Sequence, residues 1–502
     1  MSLNNWPIIV GAAQFTQPKG TQDPLDPLNL ISKASLQALK DVGINNVNNF
    51  VDTLYLVYFS SWSYEDAPSE LSEMLKIHPS LKHFSSSGGN TSQRLLNKAA
   101  VSISKEESKM ILITGGEAWN SFTLNRKGKL DLNWPEKKDS IFPEGGEWKT
   151  LNEFESKYGL NTPSFSYALF ETALRAASDR GLEDHQQYIG KLYEKFNEVA
   201  FNNPYTSAKE KLSVQEIITP TPTNRIVNHP YTKYMCSNPF VNISGAILMT
   251  NQEYAEELNI DPSKWVYLMG GATLENEFDI TPRPNLLSSP AVEHASRISL
   301  AQAGLKLGDI DMFDFYSCFP SMVQIIRNTL QIEEDDPRPL TVTGGMSFFG
   351  GPWNNYSMHP VVTAVDLIRK DPSLKIMVVA NGGYNTKESV GIYGKQPPKK
   401  HWGTEEVSTA QEEISKGELL NVVEEANGIL TIEAYTIVYN KAGKPTMGIM
   451  LGHLEDGSRT LAMLLPDTMT LNQLSYQELV GRKFHVVHDK KKGINYLKNE
   501  LV

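Results

Sequence analysis

Ser85-Ser86-Ser87-Gly88-Gly89-Asn90-Thr91 is a run of small and polar residues, and Ser92 to Ser104 follows it with apolar residues at helical spacing. The chain then enters Lys109-Met110-Ile111-Leu112-Ile113-Thr114-Gly115-Gly116-Glu117, which reads as a strand broken by a double glycine. The same order recurs later. Thr343-Gly344-Gly345-Met346-Ser347-Phe348-Phe349-Gly350-Gly351-Pro352-Trp353-Asn354-Asn355 is the loop, Tyr356 to Arg369 the helix, and Leu374 to Tyr384 (LKIMVVANGGY) the strand and glycine turn. The units match in order and element length but little in residue identity, which points to duplication of whole halves and not to a short repeat.

Working outward, Trp6 to Phe15 reads as a buried strand ending in small residues, with a helix around Pro27 to Val42 and another strand at Asp52 to Tyr58. Together these elements predict an α/β fold. Trp119 to Asn161 is polar with little period and reads as an inserted loop or lid, whereas Ser164 to Ala200 has helical spacing and Met235 to Thr250 returns to strand. Lys395-Gln396-Pro397-Pro398-Lys399-Lys400 reads as a linker. Beyond it Gly428 to Tyr439, Thr446 to His453, Ser458 to Leu465 and Lys483 to His488 alternate at period two, as in a small β-barrel or sandwich. The expected division is therefore 1–118 with 222–265 as a first half, 119–221 as an insertion, 266–394 as a second half, 395–410 as linker and 411–502 as a C-terminal β domain.

The 502 residues carry a formal net charge of −11, which argues against a nucleic-acid or anionic-membrane surface. It leaves room for an anionic small molecule held by backbone amides at a helix N-terminus. No stretch reaches the roughly 18 apolar residues of a spanning helix, and the start lacks a basic region followed by an apolar one, so a cytoplasmic location is expected. The two cysteines, Cys236 and Cys318, lie far apart without ligand spacing, and neither a metal site nor a disulfide is expected.

These residues resemble the thiolase superfamily, and most closely its thiolase-like (acetyl-CoA acetyltransferase-like) proteins with an added C-terminal β domain. Ser85 to Gly89 is similar to the family's Cys-x-x-Gly-Gly nucleophile turn, and Gly115-Gly116-Glu117 to the turn after the nucleophile helix. Phe315-Tyr316-Ser317-Cys318-Phe319 resembles the His-Asp-Cys-Phe motif, Gly344 to Pro352 the loop ending in Gly-His-Pro, and Ala380-Asn381-Gly382-Gly383-Tyr384 the Cys-x-Gly-Gly-Gly turn. The resemblance implies two βαβαβαββ halves in five αβαβα layers, with a small C-terminal barrel resembling the oligonucleotide- and oligosaccharide-binding fold. It also implies acyl-coenzyme A as substrate or ligand, a place in lipid metabolism, no covalently bound cofactor, and a monomer or homodimer.

The sequence departs from that pattern where the chemistry should be. Ser85 stands opposite the nucleophilic cysteine, Gly351 opposite the loop histidine and Ala380 opposite the second cysteine. An alkoxide needs a far stronger base than a thiolate does. Tyr316 falls at the oxyanion-hole position, where its hydroxyl would suit a carbonyl oxygen, and His359 and Cys318 complete the catalytic candidates. Bland readings stand beside these: a core tyrosine, a helix histidine and a buried thiol. Gly88, Gly89, Asn90, Ser347, Gly350, Gly351, Asn354, Asn355, Asn381, Gly382 and Gly383 are expected to bring amides to one cleft. Three functions follow: an acyltransferase in altered form, a non-catalytic acyl-coenzyme A binding protein, or an interaction protein using its C-terminal β domain. In the last case Lys490-Lys491-Lys492 would be a solvated hairpin turn or a phosphate patch.

Overall fold

The computed structural model describes residues 5–140, 144, 149–206, 210–403, 406–464, 471, 474 and 477–500. In chain order the strands begin with β1 (Pro7–Thr16), β2 (Thr53–Leu56), β3 (Leu81–Phe84) and β4 (Met110–Ala118), followed by the short pair β5 (Ile226–Asn228) and β6 (Tyr231–Thr232). Next come β7 (Asn242–Asn251), β8 (Val266–Glu275), β9 (Met312–Phe315), β10 (Ile376–Gly382) and β11 (Lys387–Gly394). The C-terminal strands are β12 (Gly428–Tyr439), β13 (Pro445–Leu454), β14 (Arg459–Leu464), β15 (Lys483–Asp489) and β16 (Ile494–Glu500).

Nine strands pair in the order β3-β2-β4-β7-β1-β8-β11-β10-β9, and the duplication is visible in their directions. On one side β1 runs antiparallel to β7, β7 antiparallel to β4, and β4 parallel to β2. On the other, β8 runs antiparallel to β11, β11 antiparallel to β10, and β10 parallel to β9. The halves join where β1 meets β8 through Ile8↔Tyr267 and Ile9↔Val266. Only β3 lacks a counterpart among the described strands.

The helices of the two repeated units, Thr91–Ser104 and Met358–Lys370, share the middle layer. Leu95, Leu96, Ala99 and Ile103 of the first and Val361, Val362, Val365 and Ile368 of the second are buried in one cluster with Ile111, Ile247, Leu268 and Val378. Apolar spacing of three and four residues gives each helix a stripe that this layer buries from both sides. Helices Pro27–Asp41 and Pro290–Ala303 cover the outer faces; Asp26 and Ser289 cap their first turns, and proline fills the first helical position of each.

The C-terminal domain is a closed five-stranded barrel. Its circuit runs β12-β13-β14-β16-β15 and returns to β12, so among the described residues each of these strands has a neighbour on both sides. Leu430, Ile432, Ile437, Met450, Phe484 and Val486 fill it. Two features fall outside a simple chain-order division. The β5–β6 pair attaches to the barrel sheet through Val438↔Asn228, and Glu406–Ser415, at the end of the expected linker, is a helix. That helix docks by burying Ala410 and by pairing the Gln411 side chain with the backbone of Glu275, contacts that no local pattern encodes.

Candidate functional site

Five loops leave the carboxyl ends of β2, β3, β4, β9 and β10, the side of a parallel sheet where loops assemble ligand sites. The loop after β3 meets the turn after β10 backbone to backbone. A Cβ at Gly89 would lie 2.0 Å from the Tyr316 hydroxyl and 2.5 Å from the Asn381 carbonyl oxygen. From the opposite side, a Cβ at Gly382 would lie 2.7 Å from Asn90 Oδ1 and 3.0 Å from the Gly89 nitrogen. Both turns need glycine because each occupies the other's side-chain space.

Asn354 stitches the second repeated loop to the first. Its Oδ1 accepts from the Gly88 amide at 2.9 Å and from Ser87 Oγ at 3.0 Å, while its Nδ2 donates to the Tyr58 carbonyl at 2.9 Å. Asn90 occupies the N-cap of the helix Thr91–Ser104, yet its side chain makes no cap bond and donates instead to Ser389 Oγ of β11 at 3.0 Å. The cap is given up for a cross-element tie. Ser357 donates to the Gly89 carbonyl at 3.1 Å, and Lys387 Nζ to the Ser87 carbonyl at 3.3 Å. Burial lowers the Lys387 ammonium from its ordinary value, opposed by the Glu275 carboxylate and assisted by the charges of Arg94 and Lys149.

Gly88, Gly89, Asn90, Tyr316, Asn354, Asn381 and Gly382 thus lie together, whereas the remaining candidates are placed differently. Ser85 is fully buried; its Oγ accepts from the Tyr58 amide at 2.9 Å and donates to the Ser86 carbonyl at 3.1 Å. The imidazole of His359 is fixed between Gln14 Oε1 at 2.9 Å on Nδ1 and Asn355 Nδ2 at 3.4 Å on Nε2. Burial pushes it down to about 3, so it is neutral, donating to Gln14 and accepting from Asn355. Gly351 packs under Ser237 Oγ, and Gly350 under Val241. Ser347 lies beside Tyr193, and Gly383 accepts the Tyr167 hydroxyl on its carbonyl at 3.1 Å. Burial pushes the Cys318 thiol up to about 12, and the Cys236 thiol likewise.

Tyr316 is buried against Tyr356, ring edge to ring face at 5.6 Å, and burial holds its phenol well above the ordinary value. Among the described residues no hydrogen bond to its hydroxyl is found. Two further groups flank the turn. Tyr167, from the inserted helix Pro163–Ala177, accepts from Asn381 Nδ2 at 2.7 Å and from the Asn385 amide at 3.1 Å. Glu388 on β11 pairs across the ladder with Asn381, is fully buried, and has both carboxyl oxygens without a hydrogen bond among the described residues. Asn381 Oδ1 is unpaired as well. The signal for Glu388 was present in Lys387-Glu388-Ser389-Val390-Gly391-Ile392, where period two puts an acid on the same face as Val390 and Ile392. Tyr167 has no such signal.

This geometry defines a thiolase-like fold whose duplicated loops interlock over one turn. The chain belongs to the SCP2-thiolase-like proteins of type 1: over 99% of its length it is 31% identical to the whole of a monomeric SCP2-thiolase-like protein type 1 (STLP1) from Mycobacterium smegmatis, with a TM-score of 0.85. Residues 409–491 match the additional C-terminal domain of thiolase-like protein type 1. Acetyl-CoA acetyltransferase from Syntrophomonas wolfei shares the fold at 14% identity, with 78% of this chain covering all of that one and a TM-score of 0.56. Human mitochondrial 3-ketoacyl-CoA thiolase in complex with CoA does so at 15% identity, with 78% of this chain on 98% of that one and a TM-score of 0.53. No curated protein sequence matches the chain. No described helix is long and apolar enough to cross a membrane.

Proposed function

We propose that the protein binds an acyl-coenzyme A thioester without forming a covalent acyl intermediate. The observation that carries this reading is the Tyr316 hydroxyl, which stands over the α-carbon of Gly89 with no hydrogen bond found for it and leaves no room there for a nucleophilic side chain. A largely buried phenol without a hydrogen-bond partner among the described residues is suited to a carbonyl oxygen, which would complete its hydrogen bonding.

The other groups support the same assignment. Ser85 spends its hydroxyl on the backbone, Cys318 stays a thiol, and His359 is enclosed by Gln14 and Asn355. Lys387 and Arg94 place positive charge beside Ser86 and Ser87, which suits a ligand bearing phosphates. Coenzyme A is named with one of the fold neighbours, and the type 1 relative is described as monomeric; we extend both properties to this chain.

Calorimetry with acetyl-coenzyme A, run beside a free-thiol assay and intact-mass measurement, tests the proposal. Saturable binding with neither thiol release nor an acetyl adduct is expected. An adduct would restore the acyltransferase reading, and absence of any binding would sink both.

A further inference from the structure

A cavity of about 540 Å³ opens beside the edge strand β3, lined by Ser69, Lys82, His83, Phe84, Lys98 and Glu144 among others. Three basic groups converge there on one carboxylate. Arg94 Nη2 and His83 Nε2 each lie 3.0 Å from Glu144 Oε2, and Lys98 Nζ lies 3.7 Å from Oε1. The Glu144 amide also donates to the Phe84 carbonyl at 2.8 Å, which seats the carboxylate at the end of β3. Burial raises the Glu144 carboxyl, but Arg94, His83 and Lys98 together outweigh it and hold it below its ordinary value.

Burial, with the charges of Lys98 and Arg94, holds His83 below its ordinary value against the pull of Glu144, so the imidazole serves as a neutral donor. The cations of the site are Arg94, Lys98 and Lys82, more than one carboxylate neutralises. Lys82 points its ammonium at Ser69 Oγ, 2.8 Å away, and Asp66, the other acid of the cavity, is engaged as a helix cap through the Ser69 amide. From Arg94 the positive charge continues toward the glycine turn: Arg94 Nη2 donates to Ser86 Oγ at 3.3 Å, and Lys387 follows on Ser87. In a chain with 58 acidic and 47 basic residues, this concentration of cations runs against the overall charge.

We infer that the cavity over Lys82, His83, Arg94 and Lys98 is a binding site for a phosphate group, and that Glu144 fills it as an internal anion. A phosphate offers more acceptor oxygens and more charge than a carboxylate, so it matches the set of donors better. The inference does not depend on thioester binding at Tyr316. The phosphate belongs either to a nucleotide portion of a larger ligand or to a free phosphate species, and the two differ only in what is attached to it.

The test is calorimetric titration of the full chain with inorganic pyrophosphate at low salt, in the wild type, Glu144→Gln and Lys98→Ala. Freeing the site should tighten binding at least about 5-fold in Glu144→Gln, and losing a charge-assisted contact should weaken it at least about 10-fold in Lys98→Ala. Lys98 is 41% exposed, so its removal leaves the fold intact, as an unchanged unfolding midpoint will verify. No heat in either the wild type or Glu144→Gln overturns the inference, and so does equal affinity in Lys98→Ala and wild type. A parallel titration with adenosine 3′,5′-bisphosphate identifies the source: tighter binding than pyrophosphate assigns a nucleotide, weaker binding a free phosphate, and either upholds the site. Acetyl-coenzyme A binding that survives while both phosphate probes fail would overturn this inference and leave the thioester reading standing.

Discussion

The Tyr316 hydroxyl occupies the space that a side chain at Gly89 would need, with 2.0 Å between that oxygen and a Cβ built on the glycine. Tyr316 and Gly89 lie in opposite halves of the duplicated fold, so this contact fixes how the halves meet at the turn. Gly89→Ala should therefore destabilise the protein by about 1–3 kcal/mol, the range for forcing atoms into a packed interior. In a Tyr316→Ala background the added cost should shrink without vanishing, because the Asn381 carbonyl remains 2.5 Å away. Denaturant unfolding of the four proteins in this cycle measures the coupling.

Tyr316→Phe should weaken acetyl-coenzyme A binding by roughly 3- to 10-fold, the worth of one hydrogen bond of about 0.5–1.5 kcal/mol. Free coenzyme A has no acyl carbonyl, so its affinity should be unchanged. Competition binding with the two ligands separates a donor to the carbonyl from a residue that only shapes the pocket. An equal loss for both would refute the donor role.

His359 sets one pH response. Its folded value of about 3 lies below that of an exposed histidine, so below about pH 6.5 the unfolded chain takes up a proton that the folded protein refuses. Stability should fall as the pH drops through this window, by up to about 1.4 kcal/mol per pH unit for one such group. His229, pushed by burial to about 4, adds to the same slope. In His359→Gln, unfolding curves between pH 4 and 6.5 should show a shallower slope even where the substitution lowers stability overall.

Glu388 has the opposite sign. Burial raises its carboxyl well above the ordinary value, with Arg283 opposing, so the folded protein keeps a proton that the unfolded chain gives up above the normal carboxylate range. Its stabilising contribution is complete at acid pH and is lost as the pH rises toward the folded value. Glu388→Gln, which has no proton to lose, should be less affected by a rise from pH 5 to pH 8 than the wild type. Chemical denaturation at both pH values measures the difference, and identical pH dependence in the two proteins would rule out a protonated Glu388.

Much of the architecture was legible because it is written locally. A glycine loop, an amphipathic helix and an apolar strand each leave their own period, and their repetition from Ser85 to Glu117 and from Thr343 to Tyr384 announces two halves without reference to contacts. The alternation beyond Gly428 announces the barrel in the same way. The sequence also holds Ser85, Gly351 and Ala380 at the positions where the resemblance leads one to expect the family's cysteines and histidine, an expectation raised before any distance is measured.

Only the folded molecule decides which of the remaining groups face one another. Ser85 and Gly89 are four residues apart on one turn, yet one is sealed against Tyr58 and the other opposes Tyr316. His359 points at Gln14, more than 300 positions away, and Tyr167 reaches the second-half turn from an inserted helix. The physical reason is range. Helical and strand periods arise from neighbours a few residues apart, whereas a hydroxyl's partner, a buried acid's proton and a convergence of cations on Glu144 depend on packing between distant segments.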